Sequence, residues 1–119
     1  MSKVIFNVYL EENNSILIDN HFNALFNDNL VKYKDSVINI FDFKSEVLKR
    51  ISDSYEIVLS FNGGNSFYKD KNVLIPIDID VLSKVNNSNS FIVRYKQNFM
   101  NEEKEFLYKL EVVYEAGIK

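Results

Sequence analysis

The sequence predicts an all-β protein, an antiparallel meander of about eight strands closed into a barrel. The stretch from Phe91 to Glu115 carries most of that expectation. Phe91, Val93, Tyr95, Gln97 and Phe99 alternate with Ile92, Arg94, Lys96 and Asn98. After a polar turn at Asn101 to Lys104, Phe106, Tyr108, Leu110, Val112 and Tyr114 alternate with Leu107, Lys109, Glu111, Val113 and Glu115. A period of two places alternate side chains on opposite faces of a strand, so this is a hairpin with one core face and one wet face. The second observation is that short apolar runs recur at close spacing, separated by Asn, Asp, Gly and Ser, as in a sandwich or barrel. The third is that 119 residues, 46% of them hydrophobic and including ten Phe and seven Tyr, suffice for one aromatic-rich core. Closure into a barrel removes the exposed edges that so long a meander would otherwise have to protect.

The elements follow in order. Lys3 to Glu11 reads as a strand with Val4, Phe6, Val8 and Leu10 on one face and Ile5, Asn7 and Tyr9 on the other. Glu12-Asn13-Asn14 is a turn, and Ile16 to Phe26 returns with Ile16, Ile18, Phe22 and Phe26 as apolar points. Asn27-Asp28-Asn29 has residues that tolerate left-handed backbone angles, and Leu30 to Lys34 and Val37 to Phe43 read as two short strands or one bent strand. Phe43 to Ser52 stays open. Phe43, Val47, Leu48 and Ile51 fall at helical spacing with Asp42 as a cap, whereas strands on either side favour another strand.

Tyr55 to Phe61 is a strand with Tyr55, Ile57, Leu59 and Phe61 on one face. Asn62-Gly63-Gly64-Asn65 is the clearest turn, because glycine adopts positive φ without a Cβ clash. Ser66-Phe67-Tyr68 begins the return before the charged Lys69-Asp70-Lys71-Asn72. In Val73 to Leu82 the residues Val73, Ile75, Ile77, Ile79 and Val81 face inward, and Pro76, which lacks a backbone donor, places this strand at an edge or bulge. Lys84 to Ser90 is a polar loop into the last hairpin. With no repeat, linker or composition break, residues 1–119 form a single domain. Leu59, Ile77, Val93, Tyr95, Leu110 and Val112 are expected in its core.

Composition excludes several functions. A net charge of −3, a pI near 5.1 and two isolated arginines, Arg50 and Arg94, argue against nucleic-acid binding. The absence of cysteine removes disulfides and thiolate chemistry. The N-terminal Met1-Ser2-Lys3 leads into a strand-like run with no signal-peptide core, and no stretch has membrane-spanning length, so the expected location is cytoplasmic.

The order and spacing of several segments resemble a known family. They are Leu48-Lys49-Arg50, Ile57-Val58-Leu59-Ser60-Phe61, the Phe67-Tyr68-Lys69 return, Leu74 to Asp80, Phe91-Ile92-Val93-Arg94-Tyr95 and Leu110-Glu111-Val112. Together they are similar to the small bacterial domains of unknown function with a calycin-like, or lipocalin-like, β-barrel. Where those domains often carry a Thr-Pro-Tyr-Gly-like step, this chain has Lys69-Asp70-Lys71-Asn72. The resemblance implies a barrel and brings no catalytic residues.

The candidate chemistry is sparse. His21 is the only histidine, which excludes a multi-histidine metal site, and beside Asp19 and Asn20 it reads as a solvated strand residue. Asp78 and Asp80 share a strand face but alternate with Ile77 and Ile79, as on the wet side of a sheet. Glu102, Glu103 and Glu105 cluster at a hairpin turn, and the glycine pair lacks the helix and lysine of a phosphate loop. Either arginine could pair with an anionic headgroup if it faced the interior, and Arg94 lies on the face opposite Phe91, Val93 and Tyr95. No constellation supports an enzyme, a metal or a cofactor. The expected partner is a small apolar or amphipathic ligand inside the barrel, with Tyr95 and Tyr108 as its polar contacts. The alternative is a structural or protein-interaction module whose barrel is filled by side chains.

Overall fold

The computed structural model describes the backbone of residues 2–115 and the side chains of residues 4–112. Within them the chain forms ten strands: β1 (Ser2–Glu12), β2 (Ser15–Asn27), β3 (Leu30–Lys34), β4 (Ile38–Asp42), β5 (Val47–Ile51), β6 (Tyr55–Ser60), β7 (Ser66–Asp70), β8 (Leu74–Asn86), β9 (Ser90–Phe99) and β10 (Glu102–Glu115). Each pairs antiparallel with its sequence neighbour, and β1 pairs with β10 to close the barrel. The meander and its closure follow the alternation. Val4, Phe6 and Val8 of β1 face the interior with Phe91, Val93 and Tyr95 of β9 and Phe106, Tyr108 and Leu110 of β10. Leu59, Ile77, Val93, Tyr95 and Leu110 are buried as expected, and Val112 is half-buried. The side chains of Val113, Tyr114 and Glu115, and Met1 altogether, lie outside the described residues.

The structure decides the segment that the sequence left open, places Pro76 as expected, and departs from the sequence expectation at the last turn, at Ile16 and at the end of β8. The segment 43–52 is a strand preceded by one tight turn. The Asp42 carboxylate accepts the Lys44 N–H at 2.8 Å, and the Asp42 carbonyl accepts the Glu46 N–H at 2.7 Å, as in a first helical turn. Glu46 then takes φ 59°, which ends the helical path, and Val47–Ile51 pairs with both β4 and β6. The last hairpin turns at Met100-Asn101, both with positive φ (53° and 65°), so Glu102 already pairs with Phe99. Ile16 is exposed, because the register slips between Leu10 and Glu11 and the inward series of β2 begins at Ile18. β8 runs on through Asn86 into the stretch expected to be loop. Pro76 sits where β8 pairs with β7 alone, before its ladder with β9 begins at Asp78, which is the edge position its missing N–H requires.

Strand length gives the barrel two unequal walls. β1, β2, β8, β9 and β10 have 10 to 14 residues, whereas β3 to β7 have five or six. The lower end, carrying the 43–46 and 61–65 turns, is plugged. Phe41 leans on Phe91 with ring centroids 4.6 Å apart and meets Phe43 edge-to-face at 5.0 Å, and Phe61 meets Phe91 at 5.7 Å. Polar bonds tie the same end across the gap left by the short β7. Lys84 Nζ donates to the nearly buried Glu46 at 2.6 Å and to the Phe61 carbonyl at 3.2 Å, and Asn86 Nδ2 donates to the Phe43 carbonyl and to Glu46. Among the described residues the upper end has no such plug.

Candidate functional site

Above the phenylalanines the barrel encloses a cavity of about 250 Å³. Inward residues of the short wall form one side. Tyr33 is on β3, Asn39 on β4, Leu48 and Arg50 on β5, Ile57 and Leu59 on β6, and Tyr68 on β7. The tall wall contributes Leu10, Leu17, Ile18, Ile77, Tyr95, Phe99, Phe106 and Tyr108, together with the polar Glu12 and Gln97. The lining is largely apolar with a few polar groups, the usual make-up of a small-molecule site, and its volume lies just below the usual range. A larger, shallower groove of about 610 Å³ runs over the outside of β2 and β3 past Asn23, Leu25, Lys32, Lys34 and Ile38.

The structure brings Tyr95 and Tyr108, the two residues singled out from the sequence, into this one cavity. Both are buried, and Tyr33 joins them by a hydrogen bond between its hydroxyl and that of Tyr108 at 2.9 Å. Burial removes the water that would stabilise a phenolate. It pushes the Tyr33 hydroxyl up to about 12 and raises Tyr95 and Tyr108 also, against a smaller lowering by the Arg50 charge. All three hydroxyls are therefore neutral donors at physiological pH. Tyr95 stacks on Phe106 at 5.3 Å and leans on Phe61 at 4.9 Å, so its ring is fixed while its hydroxyl has no hydrogen-bond partner among the described residues. No polar side-chain atom among them is both sealed and unpartnered. The Tyr95 hydroxyl thus reaches the cavity space.

Arg50 is the second polar anchor, and the sequence did not assign it to the interior. Its Nε donates to Asn39 Oδ1 at 2.9 Å, and its Nη2 lies 3.3 and 3.5 Å from the Asp35 carboxylate oxygens. Asp35 is held more closely by others: the Val37 N–H and Asn39 Nδ2 donate to its Oδ1 at 2.9 and 3.0 Å. Asn39 is almost fully buried, so this network fixes the guanidinium from behind. Tyr33, Asp35 and Asn39 were missed. Tyr33 could have been found, since it alternates with Val31 as Tyr95 does with Val93.

The other candidates lie elsewhere. His21, Asp78 and Asp80 are exposed on the outer surface and line none of this cavity. Arg94 points outward to Glu105 at 3.1 Å, as its strand face implied. Among the described residues no group of three or more His, Asp or Glu is placed to hold a metal, and no helix is long and apolar enough to cross a membrane. No protein-family model, curated protein or solved structure matches this chain significantly. The antiparallel barrel itself is consistent with a calycin-like fold.

Proposed function

We propose that this protein is a non-enzymatic binding module of calycin-like type, bacterial and cytoplasmic, that holds a small amphipathic molecule in the upper half of its barrel. One observation supports this reading above the others. The core is filled by phenylalanine below, yet above it an apolar cavity persists with a buried tyrosine hydroxyl that lacks a partner among the described residues. A barrel closed by ten strands could fill its interior with side chains, as its lower half does. A hydroxyl facing an apolar cavity is stabilised by a ligand that hydrogen-bonds to it. Tyr95 and Tyr108 are its polar contacts, and Tyr33 supports Tyr108.

Native mass spectrometry of protein purified without denaturation, followed by calorimetric titration of small amphipathic compounds, tests this. A retained or added compound is expected to bind one per chain. Tyr95→Phe and Tyr108→Phe should each weaken it about 2- to 13-fold, one net hydrogen bond. Binding unchanged in both variants would remove these residues from the site. No binding of any compound would favour the side-chain-filled structural barrel.

A further inference from the structure

One strand edge of the barrel is only partly paired. β2 meets β3 from Ala24 to Asn27, because β3 ends at Lys34, so among the described residues Ser15 to Asn23 pairs with β1 alone. The backbone groups of this edge can be assigned. Asn27 and Leu30 flank the two-residue turn Asp28-Asn29, and the alternation of an antiparallel ladder then aims the N–H and C=O of Leu25, Asn23, His21 and Asp19 to the β3 side. The His21 N–H agrees, since it donates to the Asn20 side chain at 2.9 Å. Natural sheets guard such edges with lysine, proline, bulges or a covering segment. The other edge of the tall wall, where β8 runs on past β7, is bridged by Lys84 and Asn86 to Glu46 and to the Phe43 and Phe61 carbonyls. On β2 the register slip opposite Leu10 and Glu11 bends only the stretch before Ile18, and Ile18 to Asn23 holds neither lysine nor proline.

From this edge we infer an interaction surface whose occupant is a second copy of the chain: β2 pairs antiparallel with β2 of the other copy across a two-fold axis, joining two barrels through one continuous sheet. The edge is self-complementary. With the axis at Asn20, Asp19 stands opposite His21 of the second copy and Ile18 opposite Phe22, and symmetry repeats each pair. The charges around the edge match in the same sense. On the outer face Glu11 and Asp19 lie toward the β1–β2 turn, whereas Lys32 and Lys34 lie on β3 beside the outer groove. None of these four has an ion-pair partner among the described residues. Antiparallel pairing sets the acidic end of each copy against the basic end of the other, and it brings the exposed Ile16 and Leu17 toward the groove past Leu25 and Ile38. Pairing of β2 with a different edge, such as β8, would be heterologous and would leave an edge over for the next copy.

Sedimentation velocity of the full chain, combined with amide exchange followed by NMR, tests this. A species of twice 14.0 kDa is expected at micromolar concentration, and the Asp19 and His21 amides should exchange more slowly as it forms. His21→Pro removes only a donor aimed at the open edge, so it should give a monomer whose circular dichroism is unchanged. Lys34→Glu should weaken the dimer at least about tenfold, because it sets like charges together at both symmetric ends, and Glu11→Lys in the same chain should restore it. A monomer at every concentration up to millimolar would overturn the inference. So would a dimer that survives His21→Pro, a dimer whose Asp19 and His21 amides stay in fast exchange, or open-ended assemblies larger than a dimer. The mass and the amide exchange are read on the unaltered protein and do not depend on any variant folding.

Discussion

Raising the pH above 10 is expected to unfold this protein steeply. Tyr33, Tyr95 and Tyr108 are buried, and burial holds all three hydroxyls protonated in the folded state, Tyr33 up to about 12. In the unfolded chain the same groups ionise near 10. The folded state therefore binds more protons than the unfolded state above pH 10, and its stability falls as pH rises. The contribution of these groups is fully present below pH 10 and is lost as pH climbs from 10 towards their folded values. Each costs about 1.4 kcal/mol per pH unit in that window, so three together give a slope of about 4 kcal/mol per unit. At that slope a domain of about 5 kcal/mol, the low end of ordinary stability, would unfold between roughly pH 11 and 12, and a more stable one at higher pH. Tyrosinate absorbance followed alongside circular dichroism should show both changing in one cooperative step. Smooth titration of every tyrosine near pH 10 with the fold intact would mean that these hydroxyls are freely hydrated.

The second large effect belongs to the lower plug. Phe91 is fully buried between Phe41 and Phe61, and Phe91→Ala should destabilise the protein by about 3–5 kcal/mol through lost transfer energy and a residual cavity. The urea midpoint should fall with an unchanged slope. For contrast, Asp78→Ala lies on the wet face of β8 and should stay within about 0.5 kcal/mol. A Phe91→Ala cost below about 1 kcal/mol would show that the lower half is loosely packed, and the division into a packed floor and a cavity above it would fail.

Much of this architecture was legible in the sequence because the core face is set by parity. Once Phe91, Val93 and Tyr95 are placed inward, Arg94 must face out and Tyr95 must reach the interior, and both hold. The turns were read less well where the chain uses residues without a turn preference. Met100 sits in a left-handed turn although methionine gives no signal for one, so the expected turn lay further along the chain. Segment 43–52 shows a conflict between levels. Asp42 does start a helical turn, but β4 and β6 each offer a ladder to Val47–Ile51, and five paired residues outweigh one turn.

Arg50 was not legible as an interior residue for a different reason. Its parity with Leu48 pointed inward, but a lone buried guanidinium is costly unless partners hold it. Those partners, Asp35 and Asn39, come from a turn and a strand 11 to 15 residues away, brought beside Arg50 only by the pairing of β4 with β5. The cavity was illegible too, since the same aromatic residues would suit a filled barrel. The unequal wall lengths keep its upper half open.

Chemical-shift mapping with octan-1-ol, a small amphipathic probe, on the methyl groups of leucine, isoleucine and valine tests the ligand cavity most directly. Leu48, Ile57, Leu59 and Ile77 line the cavity, whereas Val31 and Leu110 are buried outside its lining and Ile16 and Val85 are exposed. The expected result is a saturable shift at these four and at the other lining methyls of Leu10, Leu17 and Ile18, with none at Val31, Leu110, Ile16 or Val85. Shifts at Ile16 or Val85, or none at any methyl at saturating ligand, would contradict a binding site inside the barrel.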